Sequence, residues 1–261
     1  VIECGGCIIA TGGKSYPLTG STGDGYTLAK QAGHTVTPLF PSLAPIETVE
    51  QWPAQLQGLA LKNVELTAKG AGKKVFLERG EMLFTEKGVS GPLVLSASAH
   101  LDLKKQDACT LSIDLKPALS DEQLDARILR DFAQNSNKVL KNTLPALLPK
   151  NMVPVLLSIC GIDGEKACNQ VSKAERRALV HTMKGIALHI SLVGPIEQAV
   201  VTRGGVALKE VNPKTMGSKL VDNLYFAGEI LDLDAYTGGY NLQIAFTTGY
   251  AAGSFCEIIQ N

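Results

Sequence analysis

Glycines and polar side chains near the C-terminal end of the sequence offer the strongest candidate for chemistry. The apolar segment 224–227 ends at Gly228, and Glu229 follows it. A carboxylate directly after a strand can accept hydrogen bonds from the hydroxyls of a sugar or ribityl chain. Segment 239–242 then leads into a predicted helix, whose first N–H groups and dipole stabilise a negatively charged ligand atom. In the alternative interpretation, Asn241 only caps that helix and Glu229 is a solvated loop acid.

A glycine-rich loop near the N-terminal end is a second candidate for ligand binding. The predicted strand 7–10 is followed by Thr11 and Gly12, where missing side chains let a planar or phosphorylated ligand approach the backbone. The spacing matches neither common phosphate-binding motif, because Ile8 stands where a Walker A loop requires glycine and no G-x-G-x-x-G run occurs. A tight turn without any ligand explains the loop equally well.

Arg203 is a candidate for substrate binding. It precedes paired glycines, Gly204 and Gly205, which interrupt a predicted strand. Its guanidinium can bind an acidic substrate or simply face solvent, and the sequence leaves both interpretations open.

The other residue types that often carry catalysis or metal binding show no supporting pattern. The four histidines are poor candidates for a catalytic base, because a histidine without a matched partner is more often a surface or core residue. Cys4 and Cys7 run into a strand instead of opening a helix, and no second pair with metal-ligand spacing occurs. The sequence therefore predicts no metal site and no disulfide scaffold.

The charge balance excludes several classes of function. Lys plus Arg and Asp plus Glu number 25 each, so no basic surplus would attract nucleic acid or an anionic membrane. The apolar runs are too short to span a bilayer. We expect a cytoplasmic protein that binds a small-molecule substrate, with neither nucleic acid nor a membrane as partner.

The secondary-structure elements that must position these residues begin with an α/β pattern. A strand is predicted at 7–10 and a helix at 24–33. Segment 59–115 then alternates apolar and polar residues, as half-buried antiparallel strands do. Separate strands are predicted at 74–77 and 82–85.

A helical pattern follows at 120–185. Ser120 with Gln123, and Ser172 with Glu175, are capping-box pairs. Four apolar residues are predicted to share one buried helical face: Leu124, Ile128, Leu129 and Phe132. After further strand signals, a closing helix is predicted from 241 to 259.

These changes of pattern predict nested domains. An α/β domain comprises 1–40 and 205–261, and a β-barrel-like domain comprising 41–119 and 186–204 interrupts it. A helical subdomain at 120–185 interrupts the β domain in turn. An interrupted domain of this kind makes a crevice in which ligands commonly bind.

Taken together, the motifs resemble one family, the bacterial FAD-dependent proteins known as NAD(FAD)-utilising dehydrogenases or aminoacetone-oxidase-like flavoproteins. The segments that carry the resemblance are Ala10–Tyr26 (ATGGKSYPLTGSTGDGY), Pro41–Pro45 (PSLAP), Gly80–Pro92 (GEMLFTEKGVSGP), Val201–Val206 (VTRGGV) and Leu224–Gly253 (LYFAGEILDLDAYTGGYNLQIAFTTGYAAG). They stand in the family's order and run through nearly the whole chain.

The resemblance implies an α/β fold: a Rossmann-like FAD domain with an inserted antiparallel β-barrel-like domain that carries a helical subdomain. It implies hydride transfer through flavin N5 to or from a small organic substrate, with FAD as cofactor and NAD(P)H as a candidate electron donor. The implied cofactor-binding residues are Thr11, Gly12, Gly204, Gly205, Gly228, Glu229, Gly239, Tyr240, Asn241 and Leu242, and Arg203 is the candidate for the substrate.

The chain departs from the family pattern in one respect. The family begins with a strand, a G-x-G-x-x-G loop and a helix that seat the FAD diphosphate, and these are missing, so we expect an incomplete FAD domain. Two functions stay open: the C-terminal portion of a flavin oxidoreductase, or a catalytically silent binding domain that has lost the cofactor. Uncovered strands at 7–10 and 224–227 predict self-association, or a partner chain carrying the missing segment.

Overall fold

The computed structural model of the protein describes residues 4–256. The strands in this range are β1 (Cys7–Ile9), β2 (Phe40–Ser42), β3 (Ile46–Thr48), β4 (Ala60–Gly70), β5 (Lys73–Phe84), β6 (Gly88–Ser90), β7 (Cys109–Asp114), β8 (Ile186–Val193), β9 (Val201–Arg203) and β10 (Leu224–Phe226). The α-helices are α1 (Asp24–Gln31), α2 (Pro92–Ser98), α3 (Asp121–Gln134), α4 (Leu140–Thr143), α5 (Met152–Cys160), α6 (Lys173–Lys184) and α7 (Tyr240–Phe255). Short 3₁₀ segments include Pro17–Thr19, Trp52–Leu56, Leu144–Ala146, Cys168–Gln170, Ile196–Gln198, Leu208–Glu210 and Gly228–Ile230. A further 3₁₀ segment, Leu103–Ala108, has a kink at Lys105.

The chain divides into two compact units. The first joins Val1–Pro45 to Val193–Asn261, and the second is Ile46–Leu192. The three-part boundaries drawn from the sequence stay a prediction.

The first unit is built on a short parallel sheet. Strand β1 pairs with β10, with Ile8 opposite Tyr225 in the register. One sheet face packs against α1 through Ile9, Tyr26 and Phe226, and Tyr225 on the other face packs with the α7 residue Ala252. Because a parallel sheet is stable only when both faces are covered, the two helices hold this pair of strands in place.

A second small sheet in the same unit is antiparallel. Strand β2 pairs with β9, and Phe40 stands opposite Arg203. The Arg203 guanidinium lies over the Phe40 ring, 5.4 Å from its centroid. This cation–π contact fixes the side chain at the end of β9, just before the paired glycines.

The second unit contains a closed barrel in the strand order β3-β6-β5-β4-β7-β8. The alternation predicted for β4 is confirmed, because Val64, Leu66 and Ala68 are all buried. The prediction of two strands at 74–77 and 82–85 is wrong: β5 runs without a break from Lys73 to Phe84. The ladder to β4 continues through this stretch, so pairing overrides the weak strand propensity around Gly80.

The helices of the second unit begin where the sequence predicts. Both capping boxes are present, Ser120 with Gln123 and Ser172 with Glu175. The predicted buried face of α3 is correct for Leu124, Ile128 and Phe132, which are all buried, but Leu129 is exposed. It lies at the border of the face, because successive residues turn by 100° around a helix.

The longest helix in residues 4–256 is α7, with 16 residues. A bilayer needs a helix of about 20 apolar residues. Within the described part of the chain, no helix meets the length and hydropathy needed to cross a membrane. The predicted end of α7 at 259 lies outside the described residues.

Candidate functional site

A cavity of about 370 Å³ in the first unit brings several predicted site residues together. Its lining residues are Val200, Val201, Glu229, Leu233, Asn241, Leu242, Ile244 and Ala245. Three of them, Glu229, Asn241 and Leu242, are residues that the sequence singles out. The volume lies within the usual range for pockets that bind small molecules, and the wall is mostly apolar with few polar groups.

Glu229 lies in the 3₁₀ turn that follows β10, and its carboxylate is held in one orientation. Its Oε1 accepts a hydrogen bond from the Thr202 backbone N–H at 2.8 Å and one from the Ser15 hydroxyl at 3.2 Å. A Cβ at Gly13 would collide with the same Oε1 and with the Thr202 Oγ1. The glycine at position 13 therefore makes room for the Glu229 carboxylate.

The threonine beside this carboxylate joins the N-terminal loop to β9. The Lys14 backbone N–H donates to Thr202 Oγ1 at 2.8 Å. Sequence reasoning missed both Thr202 and Ser15, because a lone hydroxyl residue carries no motif. Their signal is spatial: both contact a carboxylate from which they are distant in the chain.

A buried tyrosine lies behind Glu229. The Tyr26 hydroxyl donates to the Glu229 carbonyl oxygen at 3.3 Å. Burial, and secondarily the Glu229 charge, raise the pKa of Tyr26 far above its ordinary value. Tyr26 therefore stays protonated at neutral pH and acts as a hydrogen-bond donor.

Helix α7 contributes its first two turns to the cavity wall. Its N-cap is Gly239, with a φ of 92° that glycine adopts without strain. The alternative interpretation of Asn241 as the helix cap is wrong, because Asn241 lies inside the first turn. Its side chain forms hydrogen bonds with the loop that precedes the helix. Its Oδ1 accepts from the Ala235 N–H at 2.9 Å, and its Nδ2 donates to the Ala235 carbonyl at 2.8 Å.

The rest of segment 239–242 points outward. Tyr240 and Leu242 are exposed, and Leu242 borders the cavity. The first N–H groups of an α-helix have no partner within the helix. The start of α7 therefore presents donors beside the cavity, in the electrostatic environment that suits a negative atom.

Gly228 is buried at the end of β10. Its φ is 76°, and its N–H donates to Thr248 Oγ1 of α7 at 2.8 Å. The left-handed backbone favours glycine here, whereas a Cβ would make only an ordinary contact with Ala245 of α7.

Thr11 and Gly12 follow β1. Thr11 is exposed, and Gly12 has a φ of 74°. The Thr11 hydroxyl lies where a Cβ at Gly25 would be, so Gly25 lets α1 approach the loop closely. Ligand contacts of Thr11 and Gly12 stay a prediction.

The paired glycines after β9 are enclosed by the protein backbone. A Cβ at Gly204 would collide with the Pro38 carbonyl oxygen, and one at Gly205 would collide with the Ile230 carbonyl oxygen. Backbone packing alone thus explains both glycines. Their contact with a ligand stays a prediction.

His34, set aside as a catalytic candidate, has two polar neighbours. Its Nε2 lies 2.7 Å from Ser218 Oγ, and its Nδ1 lies 3.4 Å from Glu210 Oε2. The contacts from Ser218 to His34 to Glu210 resemble a hydrolase triad, but the His34 side chain is completely buried. Ser218 Oγ also accepts from the N–H groups of Leu220 and Val221. A serine oxygen bonded in this way supports a turn and is a poor nucleophile.

Thiols and metal ligands show no site in the described residues. Cys4 and Cys7 are both exposed free thiols. No group of three or more His, Cys, Asp or Glu side chains between residues 4 and 256 could hold a metal ion.

Comparisons with known proteins place the chain among longer relatives. The sequence pattern described as "HI0933-like protein Rossmann domain" matches residues 1–255. The chain is 32% identical over 252 residues to the 3-dehydro-bile acid delta(4,6)-reductase of Clostridium scindens, covering 94% of this chain and 60% of that protein. It is 34% identical over 251 residues to the ribosomal RNA dihydrouridine synthase of Haemophilus influenzae, covering 95% and 59%. The corresponding Escherichia coli enzyme is 33% identical over 250 residues, covering 96% and 60%. The chain thus spans about 60% of the length of these curated relatives.

Proposed function

Because the chain belongs to the HI0933-like protein Rossmann domain family, we propose that it is part of a flavin-dependent oxidoreductase. In this proposal FAD binds with its flavin end against the cavity beside Glu229. The sheet geometry supports this position, because ligands of open α/β sheets bind outside the carboxyl ends of the strands. Glu229 follows the carboxyl end of β10, which is parallel to β1.

The observation that carries the proposal is the meeting of Glu229, the start of α7 and an apolar cavity. These groups fit a flavin and its ribityl chain. Glu229 would accept hydrogen bonds from ribityl hydroxyls, and the N–H groups of Asn241 and Leu242 would face the isoalloxazine edge. Val200 and Leu233 supply apolar wall. Tyr240 and Gly239 would border the same edge.

In the proposed chemistry, the protein holds the flavin, orients it and shields it from water. FAD, when bound, supplies hydride transfer through its N5 atom. Thr202 and Ser15 fix the Glu229 carboxylate, so it needs no reorganisation to accept a ligand hydroxyl. The α7 dipole stabilises negative charge at its N-terminus, and the apolar wall would shield a bound flavin from water.

The relatives' names indicate a direction for the reaction. One is a reductase and the other a synthase of dihydrouridine, and both names denote products that have gained hydrogen. We therefore propose reduction of a small organic substrate, with NAD(P)H as electron donor and Arg203 as a candidate to bind an acidic substrate group.

The test is cofactor binding by the purified protein. We expect flavin absorbance after purification, or uptake of added FAD or FMN in a titration. Glu229→Gln should weaken uptake by about tenfold, the effect of losing one charge-assisted hydrogen bond. Glu197→Gln is the matched control, because Glu197 is exposed in a nearby 3₁₀ turn and does not line the cavity.

A colourless protein that takes up neither FAD nor FMN would contradict the proposal. It would favour the competing function, a binding domain that keeps the scaffold without the cofactor. Equal uptake by the wild type and Glu229→Gln would leave flavin binding intact but remove Glu229 from the site.

A further inference from the structure

A groove of about 460 Å³ lies between α3 and α6 in the second unit. Its floor is apolar and consists of Ala126, Leu129 and Val180. Leu129 is 45% exposed there, although it belongs to the apolar pattern of α3. A single exposed leucine is common on protein surfaces, so the two flanks of the groove decide what it can bind.

The two flanks of the groove have opposite electrostatic character. On the α3 side, the first turn of the helix supplies Asp121 and Glu122. On the α6 side, Arg177 and His181 lie one turn apart. All four residues are exposed. A surface with an acidic edge, an apolar centre and a basic edge is complementary to a partner with the reverse order.

The charges on the flanks are not used to hold the two helices together. That role belongs to Arg176, whose Nε lies 2.6 Å from an Asp125 carboxylate oxygen. In the described part of the chain, Arg177, His181 and Asp121 take part in no ion pair and no side-chain hydrogen bond. The helix dipole favours an acid in the first turn of α3, but it gives no reason for the basic residues on the facing flank.

The end of α6 lies beside the start of α3. Lys184, the last residue of α6, donates through Nζ to the Leu119 carbonyl at 2.6 Å, two residues before α3 begins. Because both helices line the groove, they run along it in opposite directions. His181 therefore lies level with the first turn of α3, and Arg177 lies one turn further along.

We infer that this groove is the interface of a homodimer, in which α3 and α6 of one copy pack against α6 and α3 of a second copy. An interface with two-fold symmetry uses the same surface on both subunits, so that surface must be complementary to itself. The groove between α3 and α6 meets this condition, because its acidic flank matches its own basic flank.

The direction of the two-fold axis follows from the charges. An axis along the groove lays α3 of one copy over α6 of the other and sets each acidic flank against a basic flank at the same level. An axis across the groove would lay α3 over α3, and like charges would then face each other at a large cost. The first arrangement also closes the two apolar floors against each other, so Leu129 of each copy is removed from water.

The experiment exchanges charges between two variants and reads the mass by sedimentation equilibrium. The first variant carries Arg177→Glu and His181→Glu, so both of its flanks are acidic. The second carries Asp121→Lys and Glu122→Lys, so lysines stand opposite the basic flank. For the wild type we expect a mass that rises with concentration towards that of a dimer. Each variant alone should dimerise at least about tenfold more weakly, because like charges then meet.

A mixture of the two variants distinguishes this interface from any other. In the mixed dimer one contact keeps the native charges, and the other sets glutamates against lysines, so we expect the affinity of the wild type to return. Self-association through the strands at 7–10 and 224–227, which belong to the first unit, would not respond to the exchange.

Leu129→Ser tests the apolar centre without a change of charge. It should weaken the dimer at nearly unchanged thermal stability, because Leu129 is already partly in water in the single chain. Glu78→Lys, at an exposed site on β5, is the control for added charge. A wild type that stays monomeric, a dimer that ignores these variants, or a mixture that does not recover would each overturn the inference. The mass is measured without flavin, so the result is independent of the proposed function.

Discussion

The carboxylate of Glu229 occupies the space that a side chain at position 13 would need. Its Oε1 and the Thr202 hydroxyl both lie well inside contact distance of a Cβ built on Gly13. One glycine in the N-terminal loop thus determines where an acid more than two hundred residues later can lie, as the Ser15–Glu229 separation of 214 residues shows.

Gly13→Ala should move the Glu229 carboxylate without unfolding the protein. The colliding atoms belong to side chains that can rotate, so we expect loss of the bonds from Thr202 and Ser15, worth about 1–3 kcal/mol. Flavin titration should show weaker uptake, and the melting temperature should fall by a few degrees per kcal/mol lost while the protein stays folded. Gly185→Ala is the control, because its Cβ would meet Ser112 Oγ at 3.4 Å, an ordinary contact. Unchanged uptake would show that the position of Glu229 is irrelevant to the ligand.

Gly204→Ala should destabilise the first unit strongly. The new Cβ meets the backbone at Pro38, and the φ of 91° disfavours alanine. Strain and overpacking each cost about 1–3 kcal/mol. Urea unfolding should report this loss, whereas Gly249→Ala, in open space on α7, should gain about 0.5–1 kcal/mol. Equal stability of the two variants would contradict the packing described here.

Ser218→Ala should destabilise the protein because it leaves three groups without their partner. His34 Nε2 and the N–H groups of Leu220 and Val221 all bond its hydroxyl oxygen. The N–H groups of Leu220 and Val221 are exposed and can bond water. The loss therefore comes from the buried His34 ring, and leaving such a group unsatisfied costs about 1–3 kcal/mol. Thermal unfolding measures the effect, with Thr19→Ala as an exposed-hydroxyl control. A loss no greater than the control's would mean that water replaces the serine.

The low pKa of Glu175 predicts that the free energy of unfolding decreases slightly in acid. The Lys166 ammonium and the Ser172 backbone N–H lower the pKa of Glu175 from 4.5 to about 2. Because the folded pKa is the lower one, the stabilisation is present above about pH 4.5 and disappears as the pH falls towards 2.

We would measure the free energy of unfolding of the wild type and of Glu175→Gln in urea, between pH 2 and 6. The ion pair with Lys166 is partly solvated, so we expect a difference below about 1 kcal/mol at pH 6 that vanishes at pH 2. Glu78→Gln, at an exposed site on β5, is the control. A difference that persists at pH 2 would assign the effect to packing instead of charge.

Local patterns predict local structure well in this chain. The alternation at Val64, Leu66 and Ala68 and the capping box at Ser172 each depend on a few neighbouring residues, and both are confirmed. The continuous β5 was not predictable, because its pairing with β4 decides the conformation around Gly80.

The candidate site shows the same limit. Glu229 and Asn241 stand out in the sequence through the glycines around them, and both line the cavity. Thr202 and Ser15 do not stand out, because only the fold brings their hydrogen-bonding groups to Glu229. The role of Asn241 in bonding Ala235 likewise depends on a loop conformation that no spacing rule specifies.

The order of the units along the chain has a consequence for synthesis. His34 and Ser218 are 184 residues apart, and the whole of Ile46–Leu192 is translated between them. On the ribosome, β1 must wait for β10, which begins at Leu224, while the barrel has all its strands once β8 ends at Val193. The barrel unit can therefore fold first, and closure of the parallel sheet, with its high contact order, becomes the late and slow step. Until then β1 lacks its partner β10, and a strand edge without its partner favours aggregation.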